Sequence, residues 1–240
     1  MDLSIVIPVY NEEKRLTRAL DDVLGWLKGR KESWEIVIVD DGSQDKTGDV
    51  VRAWMEKEPR IRFTRLPVNM GKGEAVRVGM LQAQGRIRLF RDSDLSTRQA
   101  ELDRFLPYFE KGADVVIGSR RVPGATTELP QALPRRLLGM GFTRLCRLLI
   151  LDEVYDYTCG FKCFSARASL AVFPKQRVKR WAFDAEILYL AKKAGFAIHQ
   201  IPVTWRDEPG SKVRLSSDVF RSFLDMVRVR VNDLRGLYDA

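Results

Sequence analysis

The sequence predicts an α/β fold: a mostly parallel central sheet with helices on both faces, followed by amphipathic helices toward the C-terminus. Three observations predict it. Short apolar runs alternate with segments of helical periodicity as far as about residue 121. Polar and acidic residues collect where the apolar runs end: Asn11 and Glu12, Asp40 and Asp41, Asp92 and Asp94, Ser119 and Arg120. Beyond residue 121 the rhythm breaks into a Pro-, Gly- and Thr-rich stretch and then an apolar segment studded with arginines.

Taken in order, "LSIVIPVY" (3–10) reads as a buried strand. Residues 12–28 carry Leu16, Leu20, Val23, Leu24 and Leu27 at helical spacing. "WEIVIVDDGS" (34–43) is a strand ending in turn residues, and residues 47–57 form a helix stopped by Pro59. "IRFTRLP" is a strand, "GKGEAVRVGMLQAQG" a helix and "RIRLF" a strand. Residues 98–110 read as helical and "ADVVIGSR" (113–120) as a strand. Repeated strand–helix units imply parallel pairing with right-handed crossovers, and ligands then sit beyond the carboxyl ends of the strands. "RVPGATTELPQALP" is a loop, residues 135–151 an apolar helix, "CGFKCFS" a short segment, 183–195 a helix, "AIHQIPVTW" a strand, and a C-terminal amphipathic helix begins near residue 215. The second half is expected to extend the first and not to fold alone.

The chain has 240 residues, enough to bury a real core, and its 45% hydrophobic and 30% charged content is that of a globular protein. The start, "MDLSIVIPVYNEEKRL", has the pattern of a first strand and not of an export signal. No apolar run approaches the ~18 residues of a spanning helix. Cys146, Cys159, Cys163 and the single His199 make a poor zinc set, and three cysteines without an export signal point to reduced thiols in the cytoplasm. The net charge of +9 suits anionic lipid or phosphorylated substrates, while no zinc-finger or RNA-binding strand pattern supports a nucleic-acid partner.

The stretch "FRDSDLST" (90–97) poses the chemical question. Two carboxylates spaced D-x-D face the same side of extended backbone and repel. A divalent cation relieves the repulsion; Mg²⁺ or Mn²⁺ takes oxygen ligands and completes its shell with phosphates and water. A solvated turn with Asp94 capping the next helix accounts for the same pattern. Asp40 and Asp41 in "VDDGSQDKT" are placed to accept from a nucleobase or ribose, or to form an Asp-Gly turn. "NMGKGEA" puts Gly71 and Lys72 at a helix start, an anion site or a plain helix start.

"VIPVYNEE", "IVIVDDGSQDKT", "NMGKGEAVRVGM", "DSDLST" and "VVIGSR" occur in an order and at intervals that resemble the family 2 glycosyltransferases, with their nucleotide-sugar-binding, Rossmann-like GT-A fold. "YDYTCGFKCF", "WAFDAEILYLAKKAGF" and "IPVTWRDEPGSKV" extend the resemblance to the branch that acts on dolichyl and other polyprenyl phosphates. The resemblance implies a single domain over 1–240: a nucleotide-sugar half (1–121), an acceptor-side half (122–214) and a C-terminal amphipathic helix (215–240). It implies that Pro8, Tyr10, Asn11 and Glu12 border the base and ribose, and that Asp40 reads the base. Asp41, Gly71, Lys72 and Ser93 lie near the donor. Asp92 and Asp94 hold Mg²⁺ or Mn²⁺, Asp94 closest. Arg120 and Lys212 neutralise donor diphosphate or acceptor phosphate, and Asp184 lies near the sugar or acceptor; a helix cap for Asp184 and a surface ion pair for Arg120 are the plain alternatives.

Two departures stand out. Ser96 occupies a position where related mannosyltransferases carry glutamine, so water replaces that ligand. Arg86, Arg88 and Arg91 lie in a strand that is apolar in the family; Arg88 must find a partner or solvent, and Arg91 is placed to pair with Asp92 or touch phosphate.

The implied reaction is inverting transfer of a hexose, UDP-glucose before GDP-mannose, to a polyprenyl phosphate at the cytoplasmic face of a membrane. The acceptor phosphate is already anionic and needs no general base; with a sugar hydroxyl as acceptor, Asp184 becomes the first candidate base. Membrane contact is expected through Arg135, Arg136, Arg144, Arg147 and the apolar residues among them, and through the C-terminal helix, with a core or dimer interface as the alternative; it places Lys162, Arg180 and Lys212 at the acceptor. A sugar-acceptor transferase, a nucleotidyltransferase without its glycine-rich signature, and a non-catalytic membrane- or RNA-binding module are the rivals.

Overall fold

The computed structural model describes residues 1–129, 133–208 and 217–239, the side chains of 133–137 and 217–219 apart. The alternating half folds as β1 (Leu3–Val9), α1 (Leu16–Leu27), β2 (Trp34–Asp40), α2 (Thr47–Lys57), β3 (Ile61–Arg65), α3 (Lys72–Gln82), β4 (Ile87–Arg91), α4 (Leu106–Glu110) and β5 (Val115–Ser119). A 3₁₀ turn over Gln99–Arg104 precedes α4, so the helix expected at 98–110 is split, with Pro107 in the first turn of its second part. The other half gives β6 (Thr126–Leu129), α5 (Leu133–Leu149), β7 (Phe161–Ser165), α6 (Ala166–Val172), α7 (Phe183–Lys193), β8 (Ile198–Pro202), β9 (Thr204–Arg206) and α8 (Ser217–Leu234).

One seven-stranded sheet runs in the order β3-β2-β1-β4-β7-β5-β8, and β6 and β9 form a separate two-stranded ribbon. All pairings in the main sheet are parallel except those of β7, which lies antiparallel to both β4 and β5. The expected α/β class is therefore what is observed, a mostly parallel sheet covered on both faces. Val6, Val37, Val39 and Phe90 point to the side covered by α3 and α7; Ile5, Ile7, Ile36, Ile38 and Leu89 point to the side covered by α1 and α2. α3 lies close because Gly79 has no side chain; a Cβ there would collide with Val6.

Arg88 is buried and finds its partners in the carbonyls of Gly85 (3.1 Å) and Met80 (3.0 Å) and in Ser169 Oγ (3.3 Å). The segment expected as one strand at 197–205 divides: β8 closes the main sheet, and β9 turns away to pair with β6, inside the stretch expected to be loop. α5 and α8 pack together, with Cys146 Sγ 3.1 Å from Met226 Sδ. Among the described residues no helix is long and apolar enough to cross a membrane.

Candidate active site

The carboxyl ends of β1, β2 and β4 lie side by side, and the loops that leave them carry the acidic residues. Pro8 sits on the part of β1 that pairs with β2 but has passed the end of its pairing with β4. The chain then turns at Asn11, which takes φ +50°, a left-handed conformation that asparagine tolerates better than most residues. Asn11 N donates to Ser43 Oγ (2.8 Å), its Oδ1 accepts from Gln44 N (2.8 Å), and Glu12 N donates to Thr47 Oγ1 (2.7 Å). The loop after β1, with Tyr10 half-exposed on it, is thus bolted to the loop after β2. The Glu12 carboxylate itself takes a two-pronged bond from Arg15, at 2.8 and 2.7 Å.

Asp40, at the end of β2, is fully buried; its Oδ1 accepts from Ser43 N and Oγ at 2.8 and 2.5 Å. Among the described residues its Oδ2 accepts no hydrogen bond, and Arg65 Nε lies 3.5 Å from it. A buried carboxylate oxygen with spare capacity is what a nucleobase N–H requires. Asp41 is differently placed: it accepts from Met70 N at 2.7 Å and Gly71 N at 2.9 Å, fastening the start of α3 to β2. Burial nonetheless pushes its carboxyl above the usual range. Gly71 has φ +109°, and a Cβ there would meet the Lys179 carbonyl.

The next side chain, Lys72, reaches across to β4, its Nζ 2.5 Å from Asp92 Oδ1. Burial works to lower its pKa, but Asp92 and Asp184 overcome this and raise it. Asp94 is raised, first by burial and then by the neighbouring Asp92, and its Oδ1 accepts from Ser96 N at 3.0 Å. Ser93 between them is buried. Among the described residues no three His, Cys, Asp or Glu side chains form a metal cage. The two aspartates still fit Mg²⁺ or Mn²⁺: both offer hard oxygens, burial and the charge of Asp92 make Asp94 costly to ionise without a cation, and these cations use few carboxylates when phosphate completes the shell.

Asp184 opens α7 and is buried against Lys162 of β7, Oδ1 to Nζ 2.5 Å; Lys162 also donates to the Cys159 carbonyl at 2.6 Å. Lys162 is therefore a sealed partner of Asp184 and not an exposed phosphate contact. Arg120, after β5, is held by Asp156 through Nε and Nη2, both at 2.7 Å, and donates to Thr158 Oγ1 at 2.8 Å. Arg180 is exposed beside Gly71, and Lys212 lies outside the described residues.

Several contributors stand in "YDYTCGFKCF" and "WAFDAEILYLAKKAGF" but were given no role by the sequence. Gly160 passes so close to Asp92 that a Cβ would overlap the carboxylate. Trp181 flanks Lys72, its ring centre 5.9 Å from Nζ. Asp156 is visible only as the partner of Arg120. Each depends on a contact between distant segments, which no local pattern encodes.

The profile of glycosyl transferase family 2 matches residues 4–173. A dolichyl-phosphate beta-glucosyltransferase of Trichomonas vaginalis is 38% identical over 240 residues, covering 95% of this chain and 73% of that one. The enzyme of the same name from Saccharomyces cerevisiae is 34% identical, with 98% and 76% covered; the human one is 32% identical, with 98% and 77% covered. Among solved structures, glucosyl-3-phosphoglycerate synthase from Mycobacterium tuberculosis with Mn²⁺, UDP-glucose and phosphoglyceric acid superposes with a TM-score of 0.68 at 19% identity, over 94% of this chain and 79% of that one.

Proposed function

Since the chain belongs to glycosyltransferase family 2, we infer that it transfers glucose from UDP-glucose to dolichyl phosphate or a closely related polyprenyl phosphate, with inversion at the sugar. The observation that carries this reading is the continuous chain of contacts from base pocket to carboxylate pair: Asp41 holds the Gly71 N–H, and the adjacent Lys72 pairs with Asp92. Asp40 receives the base in this reading, Tyr10, Asn11 and Glu12 border the ribose, and Asp92, Ser93 and Asp94 meet the diphosphate. The names of the relatives choose the sugar and the lipid.

The donor's glucose is α-linked and a β-linked product demands inversion, so the step is a single in-line displacement. An oxygen of the lipid phosphate attacks C1, the C1–O bond to UDP breaks, and its electron pair leaves on the β-phosphate. A phosphate monoester carries its charge near neutral pH and needs no base. Asp92 and Asp94 would hold a divalent cation, which screens the departing diphosphate. Lys72 adds a fixed positive charge at the same place, where it stabilises charge that develops only as the bond breaks. Asp184, held by Lys162, faces the same site as a fixed negative group suited to the sugar or the acceptor side.

The acceptor's tail keeps it in the bilayer, since each exposed CH₂ costs about 0.8 kcal/mol. The reaction therefore takes place at a membrane surface, in this reading the cytoplasmic one. In support, α5 exposes Leu138, Met140 and Leu148, and α8 exposes Phe220, Phe223, Leu224 and Val227, with Arg144, Arg221 and Arg228 among them. The side chains of Arg135 and Arg136 lie outside the described residues. The deciding experiment incubates UDP-glucose, GDP-mannose and other nucleotide sugars with polyprenyl phosphate and identifies products by mass, with and without chelator. Glucosyl-phosphoryl lipid formed from UDP-glucose, and lost on chelation, is expected; mannosyl lipid from GDP-mannose alone, or transfer only to free sugars, overturns the reading.

A further inference from the structure

Arg91 is the last residue of β4 and is 1% exposed. A guanidinium at that depth persists only if acceptors surround it. Its Nη1 donates to Asp22 Oδ2 at 2.9 Å and to Gln99 Oε1 at 3.0 Å. Its Nε donates to the Asp92 carbonyl at 3.3 Å, and its Nη2 to the carbonyls of Asp94 at 3.0 Å and Thr97 at 3.3 Å. Three of these acceptors are main-chain oxygens of one loop, residues 92–98, which contains neither helix nor strand. Asp22, on α1, anchors the same assembly from outside by also accepting from Gln99 N at 2.9 Å. The expectation that Arg91 pairs with the Asp92 carboxylate or touches phosphate is thus corrected: that carboxylate faces Lys72 and Gly160, while Arg91 turns the other way, behind the loop.

We propose that Arg91 is a positioning residue for the nucleotide-sugar site, a template that sets the path of the 92–98 loop and so the aim of the Asp92 and Asp94 carboxylates. The proposal rests on the reading of that pair as the site of cation and diphosphate. An irregular loop has no ladder of its own to fix its carbonyls, and here one planar fork of five donors fixes three of them at once. Lysine offers three donors from a single point and cannot span Asp22, Asp94 and Thr97 together. Ligands need placement to about 0.5 Å, so a loop relaxed by one lost bond loses its aim before it loses its fold.

The test compares wild type, Arg91→Lys and Asp22→Asn. Mn²⁺ binding in the presence of UDP is read by electron paramagnetic resonance, unfolding is followed by circular dichroism, and kcat and KM are measured separately. Wild type should bind Mn²⁺ with UDP. Arg91→Lys should bind it about 10- to 100-fold more weakly while unfolding cooperatively, and Asp22→Asn should fall between the two. If Arg91→Lys folds and binds Mn²⁺ with UDP as tightly as wild type, the proposal is overturned, whatever its stability. If Arg91→Lys does not fold, Asp22→Asn decides alone: weaker binding supports the proposal and unchanged binding overturns it. Failure of the wild type itself to bind would overturn the reading of the aspartate pair, and this proposal with it.

Discussion

Lys162 Nζ lies 2.5 Å from Asp184 Oδ1, and the lysine is carried by the strand that runs against the direction of its neighbours. Taking both charges from water is costly, and each is the other's main compensation, beside the Cys159 carbonyl for the lysine and the charge of Lys72 for the aspartate. Lys162→Met should therefore destabilise the fold by about 3–5 kcal/mol, since it strands a buried carboxylate. The double variant Lys162→Met/Asp184→Leu should recover much of that loss. Urea unfolding of the single and double variants measures the coupling; simple additivity would show that the two side chains do not depend on each other.

The Arg120–Asp156 pair has a pH signature. Burial acts to raise the Asp156 carboxyl, but the charge and hydrogen bonds of Arg120 outweigh it and hold the group down at about 2. An unfolded aspartate titrates near 3.9. The folded value is the lower one, so the pair's stabilisation is complete above the unfolded pKa and disappears as pH falls toward 2. Its size is roughly 2–3 kcal/mol. Urea midpoints taken from pH 6 downward should show wild type ahead of Asp156→Asn at the start and the gap closing through pH 4 to 2.

Gly160→Ala puts a methyl group where the Asp92 carboxylate lies. The side chain must swing aside, which disturbs its pairing with Lys72. A displacement of about 1 Å at such a site costs on the order of 100-fold in rate. Transfer activity should fall by that order while the melting temperature stays within a few degrees, which parallel kinetics and calorimetry will reveal.

Phe220 is 64% exposed on α8, and Phe223, Leu224 and Val227 continue the patch. Replacing Phe220 and Leu224 by serine should lower co-sedimentation with anionic liposomes and reduce activity on long-chain lipid phosphate more than on a short soluble analogue. Arg144→Gln with Arg221→Gln should make the residual binding less sensitive to salt, each arginine contributing about 1 kcal/mol near the surface. Equal loss on both acceptors would mean that the patch serves packing alone.

The regular half could be read directly because its signals are local. Val and Ile runs, a helix over 47–57 and acidic turns after the strands are each complete within a dozen residues, and they give the sheet class and the D-x-D loop. β7 was not readable as a strand between β4 and β5: five residues, Phe161–Ser165, take their place only through partners on both sides. β6 hid in a Pro- and Gly-rich stretch because its pairing with β9 supplies what its composition lacks. At the site, the aspartates, Lys72 and Lys162 were visible as single residues, but their pairing was not. Asp22, far from Arg91 in sequence, is next to it only after α1 has packed.

The position of β7 also sets an order of assembly. A ribosome that has delivered residues 1–129 has supplied β3, β2, β1 and β4, a sheet in which β4, interior in the complete fold, is still an edge. β5 has by then been made, but its partners among the described residues are β7 and β8, both still to come. The nascent chain must therefore carry an unpaired apolar strand and a bare sheet edge until residue 165 emerges, the state most exposed to edge-to-edge association. Shortening the chain before β7 should yield insoluble fragments, and slowing translation between residues 120 and 165 should lower the yield of soluble enzyme more than slowing it elsewhere.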